Sequence, residues 1–214
     1  MKQILYTLGA FLLCQLGTVS SHAQSWQWAK QMGGNIGGST AEDSREEVLS
    51  IQVDKKGNSY VLFRTYTDLI NPNKVQLDGT DLGKKFGNND MVLASFDCSG
   101  KLRWGKLFGG PGGDDPYDMK IDTLGGIYIC GIFNRIAKDS VMIDDDTILR
   151  APSVSPFMDY RRFVVMKYDT AGNYKWLRRP EPDTIAGVGR TSGCFSMAVS
   201  PIGKVALLTM LATS

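Results

Sequence analysis

The chain has a single histidine, His22, in 214 residues. His22 lies in an N-terminal stretch that we expect to be removed, so residues 24–214 contain none. Catalysis by Ser-His-Asp or Cys-His groups, a histidine zinc ligand and a histidine general base all require this side chain. These chemistries are therefore excluded for residues 24–214.

Cysteine and net charge are also scarce. The 24 basic and 22 acidic residues nearly balance, unlike the strongly basic composition of a nucleic-acid-binding surface. Beyond the N-terminal stretch there are three cysteines, Cys98, Cys130 and Cys194. Their spacing matches no metal-binding or C-x-x-C motif. We expect buried free thiols, and one intramolecular disulfide is the alternative.

Residues 1–23 have the composition of a signal peptide. Lys2 precedes an apolar run from Ile4 to Leu16, and the small residues Ser21 and Ala23 suit a cleavage site. The run is shorter than the ~20 apolar residues of a transmembrane helix. We therefore predict an exported chain, at the cell surface, in the periplasm or extracellular, with no transmembrane span after cleavage. An uncleaved anchor is the alternative.

Internal repetition is the most informative feature of the remaining chain, because self-similarity at a fixed period is typical of repeat architectures. One segment occurs three times, with apolar residues at alternate positions before a turn that contains glycine. This pattern is typical of a half-buried β-strand that leads into a hairpin. The three copies are residues 49–61, 117–129 and 195–207.

Two further segments recur. Residues 91–104 and 163–176 share the spacing of Asp, Gly and Trp, which predicts a strand, a turn whose aspartate bonds backbone amides, and a second strand. Trp-x-Lys-x-x-Gly-Gly occurs at residues 28–34 and 104–110. We expect the tryptophans to pack between neighbouring repeats; stacking on a sugar or flat cofactor is the alternative. The residues assigned a structural role in the repeats are Trp28, Asp54, Gly57, Asp97, Gly100, Trp104, Asp122, Gly125, Asp169, Gly172 and Trp176.

The repeat period predicts the fold. Trp104 follows Trp28 by 76 positions, and Gly125 follows Gly57 by 68, so one period holds two hairpins, or four strands. Four short antiparallel strands per repeat are the composition of a propeller blade. We predict an all-β fold, a partial (open or truncated) β-propeller of four-stranded antiparallel blades, with about two and a half blades in residues 24–214. Stretches 64–90 and 134–162 each contain a short apolar piece that can add a small hairpin.

These motifs resemble the secreted bacterial β-propeller repeat family, also called SBBP repeats. The resemblance rests on Asp-x-x-Gly-Asn-x-Tyr-Val, aromatic-Asp-x-x-Gly-x-x-x-Trp and Trp-x-Lys-x-x-Gly-Gly, from residue 26 onward. The last repeat departs from it, because Ser200 replaces the aspartate and Ala206 the tyrosine. The resemblance implies a propeller fold and export, and it implies no reaction. The second motif is also similar to that of quinone-dependent dehydrogenase propellers and outer-membrane assembly propellers.

The number of repeats is too small for a closed ring, since closed propellers have about 4 to 8 blades. We therefore expect the chain to be part of a longer protein or to pair with other copies. The apolar strand at residues 204–212 would otherwise be an unprotected edge.

One acidic cluster is a candidate metal site. Asp114, Asp115 and Asp118 follow a Gly-rich stretch, and calcium binds to several oxygen ligands. A solvated acidic loop is the alternative, because the cluster does not recur in the first repeat. We predict no other cofactor. A glycosidase-type carboxylate pair stays open, since distant residues can meet in the fold.

Together these features predict an exported, non-catalytic repeat protein that presents loops to a protein or glycan partner, as a binding or structural module. No nucleic-acid partner is expected. The alternative is the N-terminal propeller part of a larger secreted enzyme, or a propeller of the quinone-cofactor or outer-membrane assembly type.

Overall fold

The structure is a computed structural model that describes residues 28–30, 46–66, 75–83, 86–134, 141–144, 147–149, 161–178 and 193–210. These residues form β-strands and no helix, which confirms the predicted all-β class. Among them, no helix has the length and apolar composition needed to cross a membrane. The predicted signal peptide, residues 1–23, lies outside the described residues.

The strands follow the alternating apolar pattern of the repeats. In chain order they are β1 (Glu47–Val53), β2 (Ser59–Tyr66), β3 (Gln76–Leu77), β4 (Thr80–Asp81), β5 (Asn89–Phe96), β6 (Leu102–Phe108), β7 (Asp115–Ile121), β8 (Gly126–Asn134), β9 (Val141–Asp144), β10 (Thr147–Leu149), β11 (Arg161–Asp169), β12 (Tyr174–Arg178), β13 (Gly193–Val199) and β14 (Val205–Met210).

The strands form two four-stranded antiparallel sheets and a further hairpin. Sheet A has the order β1-β2-β5-β6, and sheet B has the order β7-β8-β11-β12. Strands β13 and β14 pair as hairpin C, with the same register as the first two strands of each sheet. Neither sheet is closed. The predicted four-stranded antiparallel unit is therefore confirmed.

A β-bulge occurs at the same point in the first strand of each unit, after Val48, Pro116 and Cys194. Side chains alternate between faces along a strand, and a bulge shifts that alternation by one residue. Val48 consequently pairs with Phe63 and Ile51 pairs with Val61 on one face of sheet A. The repeated bulges indicate that the units share their fine geometry as well as their strand order.

Short turns close the five hairpins of the repeats. In each turn the first residue donates its N–H to the carbonyl four residues later, and the glycine donates its N–H back to the first carbonyl. Each glycine has a φ between 80° and 86°, a region in which a residue with a Cβ is strained. The turns begin at Asp54, Asp97, Asp122, Asp169 and Ser200.

The core lies between stacked sheets, because strands β1, β7 and β13 contact one another in series. Between sheets A and B, buried Leu62 and Leu93 pack in one cluster with Met119 and Met166. Between sheet B and hairpin C, Met197 packs in a cluster whose other buried members come from sheet B, namely Tyr128, Cys130, Phe163 and Val165. Each sheet is therefore apolar on both faces, and burial requires a neighbour on each side.

Two small hairpins are inserted between the second and third strands of their sheets. Hairpin β3–β4 contributes the buried side chains of Val75 and Leu77, and hairpin β9–β10 contributes those of Val141 and Ile143. Val75 and Leu77 pack on the face of sheet A that points away from sheet B. The short apolar pieces noted in the sequence are these hairpins.

The expected burial of all the cysteines is wrong for Cys98. Cys130 is a buried free thiol on β8, whereas Cys98 is free and exposed. Cys98 is the second residue of the turn that starts at Asp97, where the side chain faces solvent. The side chain of Cys194 lies outside the described residues.

Candidate functional site

The two ends of the sheets differ in their connections. Because successive strands run antiparallel, the five short turns lie at one end, which we call the turn end. The ends of β2, β6, β8 and β12, from which the longer connections leave, lie at the opposite end, the connection end. Variable connections carried on a rigid scaffold are the usual position of binding residues. The connection end is therefore the candidate binding surface.

A charged cluster, formed by Glu47, Arg64, Asp90, Asp114 and Asp115, lies at the connection end. Arg64 donates through Nη1 to Asp115 Oδ1 at 2.6 Å and through Nη2 to Glu47 Oε2 at 2.7 Å. Burial opposes the charge on Arg64, but the hydrogen bond and charge of Asp115 outweigh this and raise its pKa. Arg64 therefore stays charged and joins β2 to the starts of β1 and β7.

Two buried carboxylates of this cluster each hold a connection: Asp114 bonds the Gly-rich connection between β6 and β7, and Asp90 bonds the segment that leads into β5. Asp114 and Asp90 are fully buried. Asp114 Oδ2 accepts the Gly110 N–H at 2.5 Å, and Asp90 Oδ2 accepts the Phe86 N–H at 2.9 Å. The Gly-rich stretch is thereby fixed against the sheets, where it also pairs through Gly109 with β9. The cluster can position the connections around it.

The three aspartates proposed as calcium ligands bind different groups. Asp114 accepts from the Gly110 amide, and Asp115 pairs with Arg64. Asp118 accepts the Met197 N–H at 3.0 Å and the Lys120 ammonium at 2.7 Å. Among the described residues, no group of three or more His, Cys, Asp or Glu side chains could hold a metal ion. Calcium binding by these aspartates stays a prediction that a calcium titration can test.

The aspartates assigned to the repeats lie in the turns. Each accepts the backbone N–H groups two and four residues later; for Asp54 Oδ1 these are the amides of Lys56 at 2.8 Å and Asn58 at 2.9 Å. The others are Asp97, Asp122 and Asp169. A carboxylate that accepts backbone N–H groups is stabilised in its charged form. These side chains therefore stabilise the turns in which they lie.

A tyrosine and a basic side chain extend two of these turns. Tyr128 donates its hydroxyl to Asp122 Oδ2 at 2.9 Å, and Lys167 Nζ approaches the same hydroxyl at 2.7 Å. Burial opposes ionisation of Asp122, but hydrogen bonds from the Gly126 amide and Tyr128 outweigh it and lower its pKa. Burial also raises the pKa of Tyr128, which keeps its hydroxyl a donor.

Sheet A repeats this arrangement with Asp54, Tyr60 and Arg103. Tyr60 donates to Asp54 Oδ2 at 3.0 Å, and Arg103 Nη1 donates to the Tyr60 hydroxyl at 3.1 Å. The sequence contained a signal for the tyrosines, which recur at the same repeat position. It contained none for the basic partner, because Arg103 and Lys167 occupy different strands of the repeat.

Packing explains two of the repeated tryptophans. A Cβ on Gly172 would lie 2.9 Å from the Trp104 ring, and Trp104 Nε1 donates to the Thr170 carbonyl at 3.1 Å. Trp28 covers Gly100 in the same manner, where a Cβ would lie 2.7 Å from its ring. The prediction that these residues pack between repeats is confirmed for Trp104, which joins sheet A to sheet B.

Trp176 packs within its own unit and against the next one. Its ring lies 6.0 Å from that of Tyr128, in the cluster that sheet B shares with hairpin C. None of the three tryptophans is placed at the connection end.

Comparison with known proteins adds no family. Neither a scan against protein-family models nor a search of curated proteins finds a match to this chain.

Proposed function

We propose that the chain is an exported, non-catalytic β-propeller repeat protein that acts as a binding or structural module for a protein or glycan partner. The observation that carries this proposal is the separation of its two ends. Short, tightly bonded turns occupy one end, whereas the strand ends that lead into the longer connections, and the charged cluster that fixes the β6–β7 connection, occupy the other. Rigid sheets with variable connections at one end are suited to recognition.

The propeller part of the proposal is supported by the way the sheets stack. The first strands β1, β7 and β13 contact one another in series, and in each sheet the later strands follow outward from the first. Blades around a propeller axis have this order, with their first strands innermost. Export is supported by the signal-peptide composition of residues 1–23.

Ligand recognition is tested with a glycan array and a pull-down from the source environment, using the purified chain. Residues 150–160, which link β10 to β11 in the sequence, are replaced by a Gly-Ser linker of equal length. We expect this variant to bind the captured ligand at least about tenfold more weakly.

The matched control changes the turn end, with Lys55→Ala, Lys56→Ala and Leu124→Ser together. These side chains are exposed, and we expect unchanged binding. Equal loss of binding in both variants would contradict recognition by the connection end. Export has a separate test: the N-terminal sequence of the secreted protein is expected to start at Gln24, and an intact N-terminus on the exported chain would contradict cleavage.

A further inference from the structure

Three equivalent side chains differ sharply in exposure. Ile51, Met119 and Met197 occupy the same position in the first strand of sheet A, sheet B and hairpin C. Met119 is 0% exposed and Met197 is 2% exposed, because each packs against the unit that precedes it in the chain. Ile51 is 58% exposed. The same position is thus buried wherever a preceding unit covers it.

The face around Ile51 is apolar over its length. Val48 and Val53 lie on the same side of β1 as Ile51, owing to the bulge, and are 49% and 62% exposed. The counterparts of Val53 in the other units, Ile121 and Val199, are packed against the core clusters. We call Val48, Ile51 and Val53 the back face of sheet A.

Hairpin C has the opposite open face. Leu62 and Cys130 are 0% exposed because the next unit covers them, whereas their counterpart Leu208 is 65% exposed. Leu208 pairs with Ser196 on β13, as Leu62 pairs with Ser50 on β1. We call the surface around Leu208 the front face of hairpin C.

A polar contact repeats at each junction between units. Ser50 Oγ donates to the Met119 carbonyl at 3.2 Å, and Asp118 Oδ2 accepts the Met197 N–H at 3.0 Å. In both contacts the side chain comes from the repeat position of Ser50 and Asp118, and the backbone group comes from the position of Met119 and Met197 in the next unit. Ser196 is the counterpart of Ser50 and Asp118 by register, but its hydroxyl already donates to Asp118 Oδ2 in sheet B at 3.4 Å. The match between the two open faces therefore rests on Ile51 and Leu208, which are exposed at positions that a neighbouring unit covers in the two internal junctions.

We propose that a second copy of this chain docks head to tail, with the front face of hairpin C packed on the back face of sheet A of its neighbour. The contact between copies would pair the same two strand faces that already pack between sheets A and B and between sheet B and hairpin C. Each copy keeps one open face of each type, and such heterologous contacts extend into rings or chains. This inference rests on the stacking of the units and is independent of the ligand at the connection end.

Sedimentation velocity and light scattering of the purified chain test the proposal across a wide range of protein concentrations. We expect the mass to rise from that of a monomer to a dimer and beyond. Ile51→Asp and Leu208→Asp each place a charge on one open face, and each variant alone is expected to remain monomeric. Both positions are exposed in the single chain, so circular dichroism spectra should match those of the unchanged chain.

The decisive measurement mixes the two variants. Ile51→Asp retains the front face and Leu208→Asp retains the back face, so the mixture is expected to form a dimer that does not extend further. Leu124→Asp, at an exposed turn position away from both faces, is the control and should associate like the unchanged chain. A chain that stays monomeric at every concentration overturns the proposal. So does self-association of either variant alone, because like faces would then be pairing, and so does a mixture that stays monomeric while the unchanged chain associates.

Discussion

The junction between sheets A and B and the junction between sheet B and hairpin C join equivalent faces with different chemistry. At the centre of the first junction, Ser50 supplies a neutral hydroxyl among apolar side chains, and the ionic contact of Arg64 with Asp115 lies at the edge. At the centre of the second junction, Asp118 supplies a buried carboxylate. Burial of apolar side chains therefore contributes most of the stability of the first junction. Hydrogen bonds to a charged carboxylate contribute a larger share at the second.

The largest expected effect is at the first junction. Phe108 is fully buried, and its ring stacks on that of Tyr168 in sheet B at 6.0 Å. Phe108→Ala removes this contact and leaves a cavity, so we expect the free energy of unfolding to fall by about 3–5 kcal/mol. Urea denaturation measures the loss. Phe86→Ala, at a side chain that is 39% exposed, is the control, and similar losses in the two variants would contradict the apolar account.

The next effect is at the second junction. Asp118→Ala leaves the buried Met197 N–H without its acceptor, which is expected to cost about 2 kcal/mol. Hydrogen exchange should show faster exchange in hairpin C and little change in sheet A, because only the second junction is affected. Asp118→Asn keeps an acceptor oxygen and should lose less. If amide exchange became faster to the same degree in sheet A and in hairpin C, the two junctions would be shown to unfold together.

Asp122 makes the stability of the turn between β7 and β8 depend on pH. Asp122, with side chain 1% exposed, lies at the turn end of the second junction beside Gly203. Its pKa is lowered below the ordinary 3.8, so its stabilisation is complete above 3.8 and is lost as the pH falls through the lower folded-state pKa.

We expect the turn between β7 and β8, whose amides Asp122 accepts, to lose protection from exchange as the pH falls through this range. In Asp122→Asn, the unfolding free energy at neutral pH should be lower by about 1 kcal/mol, and it should depend less on pH in the acid range. Urea denaturation from neutral pH down to about 2 measures this dependence. An unchanged slope would exclude Asp122 as a source of acid sensitivity.

The smallest effect is a gain in hairpin C. Its turn begins with Ser200, whose Oγ accepts only the Lys204 N–H in the described structure, at 2.9 Å. Ser200→Asp recreates the carboxylate of the other turns next to a lysine. The added hydrogen bond is expected to stabilise the chain by about 0.5 kcal/mol, measured as a shift in the urea midpoint. Ser200→Asn, which lacks the charge, is the control and should gain less.

Part of the candidate site could be read from the sequence, and part could not. The turn aspartates were recognisable because each acts on amides within four residues. Asp114 and Asp115 were recognisable as acidic residues, but their separate partners, the Gly110 amide and Arg64, depend on how β2 and β7 approach each other. Arg64 has no counterpart in the other repeats, so no pattern marked it.

The sequence by itself determined the strands, the turns and the repeat, because these depend on interactions within a few residues. The hydrogen bonds of Asp97 and the positive φ of Gly100 are complete within one turn. Only the tertiary structure decided which apolar faces are covered. Ile51 and Met119 have the same pattern around them, yet one is exposed and the other buried, because the side chains that provide cover belong to a neighbouring unit of the chain.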